Sequence, residues 1–456
     1  MKIDLKLDFK LIVILIIYLI FIISKIDLFP VYIDEATTFV DYTSKGFWIS
    51  LSKYYEPNNH VFFSLLITLF QKLPIDPLIA MRIPNILIGT VSIGILYYYL
   101  KNKYSISTTL ICIILFSFSY SVLFYSIFAR GYLTIIACTL ITFFLLEKIE
   151  KDARNKYFIL LGTITTIGFF TIPIYLYVTL TFVCIILLRF RKNARILKRL
   201  FWTYLITGLF VILLYLPIIL TNGLDALIKN KYNTQKSINE ILEFLTNSWI
   251  GFYDKIWGIQ TGLLMFFLII SASILLIKYR SERRVAIEFL IAITLPFLFV
   301  ILHKVIPGFR TWTYIIIPMI FLIAALTEVC VNILSNNLKY PATIIICSFS
   351  ILTQLYIFNK SHPIAGHPND IQANKIANYL MKSFPTNKIN FEDGRKDYDA
   401  VIYLFEHKRM HLNNNVSFKV IPQKEINVVS INKFKKSSKH KVLQKFSSKI
   451  IYVTTF

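Results

Sequence analysis

Two adjacent carboxylates, Asp34 and Glu35, follow directly on the first apolar stretch of this 456-residue chain. A third, Glu56, heads the run Glu56-Pro57-Asn58-Asn59-His60 in the same polar segment. Ionisable groups at the end of an apolar span are costly unless they are solvated or used. An Asp-Glu pair there could be no more than a solvated interfacial turn. Glu56 and His60 weigh against that, because a loop anchored at both ends brings them near Asp34. Three arginines, Arg82, Arg130 and Arg310, sit at or within other apolar segments. An unpaired Arg in such a place costs at least about 2.5–3.5 kcal/mol, so each calls for a carboxylate or an anionic ligand. The planar guanidinium fork suits phosphate oxygens. For Arg82 and Arg310, snorkelling to the interface is an equally good account. His60 and His303 read most simply as satisfied interfacial histidines.

Only membrane-spanning helices can position such a set. The chain is 56% hydrophobic and 16% charged, whereas an ordinary soluble domain is about a quarter charged. Its mean hydropathy of +0.62 comes from long apolar runs at 11–29, 200–220, 262–277, 285–302, 311–326 and 341–358. A helix needs about 20 apolar residues to cross a hydrocarbon core of about 30 Å. The first run is too long for a signal-peptide core and lacks a small-residue cleavage site, so it reads as a retained span. Cys112, Cys138, Cys184, Cys330 and Cys347 all lie in or beside apolar runs. They offer no disulfide framework or metal-ligand spacing and read as packing residues. The net charge of +24 is no nucleic-acid signal. It gathers between spans at 189–199 and 278–284, as the positive-inside rule requires. The rest lies largely in the tail from residue 359, which has 17 basic and 7 acidic residues.

With those clusters inside, 221–260 and 303–310 face out and the tail emerges outside. Lys2, Lys6 and Lys10 inside place 30–59 outside. The two ends agree only if five crossings lie between 58 and 189, where six apolar candidates occur. One of them is therefore not a full span, either the short 61–73 stretch or the 157–188 stretch broken at Pro173. The expected architecture is an all-α polytopic membrane protein of about eleven transmembrane helices over 1–358, with a small C-terminal α/β extracytoplasmic domain over 359–456. In that domain a helix is predicted at 370–383, with strands at 400–405, 417–421, 427–431 and 449–453. Its simplest use is as a basic cover over anionic headgroups.

Further motifs follow the acidic loop. They are Met81-Arg82-Ile83-Pro84-Asn85 with Gly89, then Tyr125-Ser126-Ile127-Phe128-Ala129-Arg130-Gly131-Tyr132, then Arg310-Thr311-Trp312-Thr313-Tyr314 with Pro318. In this order, over roughly residues 1–330, the set resembles the C-type (GT-C) membrane glycosyltransferases. The branch it resembles most is family 39, the protein O-mannosyltransferases and aminoarabinose transferases. Each motif alone is weak, and five in sequence are considerably stronger. The resemblance implies a GT-C-like fold in the cell membrane and transfer of a sugar from a polyprenyl-phosphate-linked donor to a lipid, glycan or protein acceptor on the outer face. It makes Asp34 the general base, with Glu35 and Glu56 orienting the acceptor or the sugar hydroxyls. It also places Asn59, His60, Arg82, Arg130, Tyr132 and Arg310 around the substrate, and the Ala-Arg-x-Tyr element makes Arg130 the favoured phosphate ligand.

The chemistry suits these residue types. A glycosidase needs two carboxylates because its alkoxide leaving group must be protonated. A polyprenyl phosphate is already a good leaving group, so one general base on the acceptor suffices. The departing phosphate needs positive charge aimed at it. Three departures argue against aminoarabinose as the sugar or alter the acceptor geometry. Asn59-His60 stands where the family often has Pro-Pro. Ala36-Thr37-Thr38 follows the acidic pair where the aminoarabinose branch has a basic residue, and Pro57 replaces a common Lys. A transporter or flippase for lipid-linked saccharides would show repeated halves, and none is visible. A polysaccharide polymerase or ligase would carry its key residues in a large late outward loop, yet 221–260 has no Arg or His. No cofactor is expected. No metal-ligand cluster stands out, although Asp34, Glu35 and Glu56 could together hold a divalent cation.

Overall fold

The computed structural model describes residues 8–26, 28–55, 58–228, 235–247, 257, 263–279, 282–365, 368–384, 387, 389–391, 398–410, 416–417, 426–430, 440–447 and 449–454. The first half contains α1 (Phe9–Lys25), the short α2 (Ile33–Thr37) and α3 (Phe47–Ser52), α4 (Val61–Phe70) and α5 (Pro77–Lys101). Then come α6 (Ile106–Ser117), α7 (Tyr120–Ile127), α8 (Tyr132–Lys151), α9 (Asn155–Thr171), α10 (Tyr175–Phe190) and α11 (Ala194–Asn222). The second half has α12 (Asp225–Ile228), α13 (Ile238–Asn247), α14 (Leu263–Lys278), α15 (Arg283–His303), α16 (Ile316–Ile333) and α17 (Asn336–Ala365). The soluble part adds α18 (Pro368–Ser383) and α19 (Tyr398–Arg409), with five strands.

Among the described residues six helices are long and apolar enough to cross a membrane, and the pair α6–α7, bent by 49°, makes a seventh. The apolar helices α1, α9, α10 and α14 have 16 or 17 residues and reach only about 24–26 Å at 1.5 Å per residue. Six or seven crossings thus stand on length alone, where the sequence predicts eleven. With the bent pair α6–α7 counted as one, the shortest candidate between 58 and 189 is α4. α4 has 10 residues, about 15 Å, and the soluble domain holds both of its flanks. Lys408 Nζ bonds Ser44 Oγ at 3.2 Å on one side, and Arg409 Nε bonds Asp76 Oδ2 at 2.7 Å on the other. A helix whose two ends meet the same domain does not cross. The 157–188 stretch is two helices, α9 and α10, separated at Pro173.

Capping fixes the ends of the elements that carry the site. Asp8 caps α1 by accepting from Lys10 N and also takes Tyr97 OH and Lys101 Nζ, which ties the start of α1 to the end of α5. Asp76 caps α5, with Pro77 as its first residue, where proline's missing N–H costs nothing. Midway, Tyr18 OH meets Ser126 Oγ at 2.5 Å. The phenol passes over Gly89, where a Cβ would lie 2.3 Å from its oxygen. α11 turns Phe201, Trp202, Leu209, Phe210 and Ile212 outward, the pattern of a helix facing lipid.

The soluble part has a five-stranded sheet in the order β2-β1-β3-β5-β4. β1 (Ile389–Phe391) pairs in parallel with β2 (Val416–Ser417) and β3 (Ile426–Ser430). β5 (Lys449–Thr454) runs antiparallel to β3 and to β4 (His440–Lys445). The predicted helix at 370–383 and the strands at 427–431 and 449–453 correspond to α18, β3 and β5. The 417–421 strand survives only at Ser417, and 418–421 lie outside the described residues. The strand expected at 400–405 is instead part of the helix α19. A short unbroken apolar run fits a buried helix as well as a strand. Here Ala400 to Phe405 are all buried, because α19 packs on α18 on one side and on α2 on the other. The soluble part is not a detached cover, since one hydrophobic cluster joins Val31, Ala36 and Phe39 to Ala373, Ile376 and Phe405. It therefore lies on the same side as the acidic loop, as the charge argument requires. α17 runs on past residue 358, the expected end of the membrane body.

Candidate active site

α2 carries both carboxylates and sends them to different places. Glu35 is fully buried against Arg82, also fully buried. The pair is bidentate, with Arg82 Nε to Glu35 Oε1 at 3.0 Å and Nη2 to Oε2 at 2.7 Å. Arg82 Nη1 also donates to Ile26 O and Phe29 O, and Nη2 to Pro30 O. All five guanidinium N–H groups thus end on protein acceptors, and none remains for a substrate phosphate. Glu35 further accepts from Ala129 N at 2.8 Å and Tyr32 N at 3.2 Å. The pair locks the end of α1, the start of the loop, α5 and the Ala129 turn together.

Asp34 points the other way, onto Arg310 at 2.5 Å. This pair is reachable, with the two side chains 29% and 36% exposed. Arg310 lies in the 3-10 helix Phe309–Ile315 that leads into α16. Its guanidinium sits 5.8 Å from the centroid of the Phe128 ring, a cation–π position.

Arg130 is buried at 3% exposure and has no carboxylate partner among the described residues. Its Nη1 donates to Thr38 Oγ1 at 2.9 Å and to Asn58 O at 2.5 Å, and Nε has no partner. Nη2 lies 2.9 Å from His60 Nε2, while Gly131 N donates to His60 Nδ1 at 2.9 Å. A neutral imidazole accepts at one nitrogen only, so just one of these contacts is a hydrogen bond. Burial, then the charges of Arg130 and Arg310, push the His60 pKa well below its usual range, which keeps the ring neutral. Arg130 is therefore a desolvated cation whose hydrogen-bonding neighbours among the described residues, Thr38, Asn58 and His60, are neutral. Gly131 permits the close approach, because a Cβ there would lie 2.3 Å from Thr171 Cγ2 and 3.0 Å from His60 Nδ1. Tyr132 packs edge-on to His60, with centroids 4.9 Å apart.

The structure thus brings Asp34, Arg310, Arg130, His60 and Tyr132 into one cluster and withdraws three expected residues from it. Glu35 and Arg82 close on each other. Asn59 is buried and fully engaged, donating to Ser50 O and Lys53 O and accepting from Ser64 Oγ. It holds the loop and leaves no polar atom for a substrate. Glu56 lies outside the described residues. A divalent cation on Asp34 and Glu35 would have to displace Arg310 and Arg82, and no group of three metal-ligating side chains occurs among the described residues. Sequence reasoning missed the residues that aim Arg130. Asn85 Nδ2 donates to Phe128 O and Arg130 O at 2.7 and 2.9 Å. Thr38 Oγ1, besides receiving Arg130, donates to Asp34 O at 2.8 Å. Asn85 stood in a quoted motif, whereas Thr38 had no signal of its own.

The chain has a polytopic helical fold with a small C-terminal α/β part, and a carboxylate–guanidinium pair lies on the side that bears the soluble domain. The sequence model of the dolichyl-phosphate-mannose-protein mannosyltransferase family matches residues 58–220. That segment holds His60, Arg82, Arg130 and Tyr132 but not Asp34 or Arg310. The structure is similar to ArnT from Cupriavidus metallidurans in its apo state, with a TM-score of 0.65, 11% identity and 97% of each chain covered. It is similar also to the same protein bound to undecaprenyl phosphate, with a TM-score of 0.66, 11% identity and 97% of each chain covered. No curated protein sequence matches the chain.

Proposed function

We propose that this protein transfers a sugar from a polyprenyl-phosphate donor to a hydroxyl or amine acceptor on the outer face of the cell membrane, with Asp34 as general base. The observation that carries the reading is the accessible Asp34–Arg310 pair beside Arg130, a buried cation with no carboxylate partner among the described residues. The undecaprenyl phosphate in the similar ArnT structure supports a polyprenyl donor, and the family match supports glycosyl transfer.

Arg130 and Arg310 hold the donor phosphate. A phosphate drawn to Arg310 competes with Asp34 for the same guanidinium, so donor binding frees the carboxylate for the acceptor. Asp34 then takes the acceptor's proton as its oxygen or nitrogen attacks the anomeric carbon. The bond from that carbon to the phosphate oxygen breaks, and its electron pair leaves with the polyprenyl phosphate. Attack opposite the leaving group inverts the anomeric centre. The arginines stabilise charge where it develops. Glu35 and Arg82 act by holding α2, not by touching substrate.

The test is transfer of labelled sugar from a polyprenyl-phosphate donor in membranes, comparing wild type with Asp34→Asn. Equal transfer by the two proteins removes Asp34 as the base.

A further inference from the structure

The segment that presents Asp34 is held from outside the membrane body. Two side chains on one face of α18, four residues apart and hence neighbours, grip the backbone just before Asp34. Asp370, buried at 3% exposure, accepts from Ile33 N at 3.0 Å. Ile33 is the first residue of α2, so a carboxylate 337 positions away does the work of an N-cap, which local sequence usually supplies. Tyr32, at the N-cap position, leaves its OH without a partner, and the local share of the capping is the Glu35 carboxylate accepting from Tyr32 N. Asn374 takes the other hold, donating Nδ2 to Val31 O at 2.8 Å and accepting from Val31 N at 3.3 Å. A third Asn374 bond, to Asp370 O at 2.8 Å, braces the two together. Below the clamp, Phe39 packs edge-on to Phe405 with centroids 5.0 Å apart.

We infer that Asp370 and Asn374 are positioning residues for the transfer reaction, so that the C-terminal domain completes the active site by clamping residues 31–33 and aiming Asp34 at Arg310. Their effect on catalysis rests on the reading of Asp34 as the base. α2 is only five residues long, too short to persist without tertiary contacts. Glu35–Arg82 anchors its buried side. The Asp370–Asn374 clamp sets its direction from the soluble side.

The experiment uses the full-length protein in membranes or detergent, with variants Asp370→Ala, Asp370→Asn and Asn374→Ala. Hydrogen exchange is followed by mass spectrometry in peptides covering 31–42 and, as a control, 132–151. Donor transfer kinetics are measured in parallel. Asp370→Ala and Asn374→Ala are expected to speed exchange in 31–42 at least tenfold and leave 132–151 unchanged. Their kcat falls at least tenfold at an unaltered donor KM. Asp370→Asn keeps an acceptor oxygen and restores most of both. Unchanged exchange in 31–42 overturns the clamp, as does a rise spread equally into 132–151. A kcat fall that Asp370→Asn fails to reverse overturns the positioning role. If the wild type transfers no sugar, the proposed function fails by itself, and the exchange arm still decides whether the clamp exists.

Discussion

Arg310 reaches Asp34 across 276 positions of sequence, while the adjacent Glu35 turns inward onto Arg82. One short helix thus gives one carboxylate to a pair that a ligand can reach and the other to a pair that it cannot.

The accessible pair is where chemistry is expected. Asp34→Asn preserves shape and an acceptor oxygen but cannot take a proton at neutral pH. Transfer should fall about 10²–10⁴-fold, the usual worth of a positioned general base, with the thermal midpoint in detergent unchanged within error. A variant that keeps full turnover would place the base elsewhere.

The buried pair should behave in the opposite way. Removing either partner strands an unpaired charge, which costs about 3–5 kcal/mol. Glu35→Ala and Arg82→Ala are therefore expected to lower Tm sharply and to reduce the yield of folded protein before any kinetic effect is read. Arg82→Lys should not rescue, because an ammonium has three donors where the guanidinium uses five. Purified Arg82→Ala with wild-type Tm would contradict the lock.

Arg130 separates binding from stability. No carboxylate among the described residues is stranded when it is removed, and a desolvated charge is lost. Arg130→Met should keep or raise Tm, while donor affinity drops at least tenfold, measured as KM for the polyprenyl-phosphate sugar. A fall in Tm as large as that of Arg82→Ala would show instead that Arg130 is structural.

His60 makes stability depend on pH. Its folded pKa lies well below the unfolded value of about 6.5, for the burial and the two arginine charges given above. The unfolded chain then binds a proton that the folded chain does not, so this contribution is present above about pH 6.5 and is lost as pH falls below it. Thermal melts from pH 8 to 5 should show a declining Tm in wild type and a shallower decline in His60→Gln. Parallel curves would assign the slope to other groups.

Much of this was legible before any coordinates. The apolar runs specify a multi-pass membrane protein, because hydrocarbon thickness acts on local sequence. Of the apolar stretches between 58 and 189, with α6–α7 counted as one, α4 is the shortest, and the soluble domain holds both of its flanks. Residues 400–405 were misread because a short apolar run carries no period of its own until its neighbours cover it. The three arginines looked alike in the sequence for a related reason. A guanidinium does not announce its acceptors, and those of Arg82, Arg130 and Arg310 are backbone carbonyls, a hydroxyl and two carboxylates scattered along the chain. Only the tertiary structure made the first a lock, left the second without a carboxylate partner among the described residues and set the third against Asp34. By itself the sequence placed Asp34 at the end of the first apolar stretch. Which way it points was decided by Arg310 and by a helix that begins more than three hundred residues later, since five residues of helix cannot hold a direction alone.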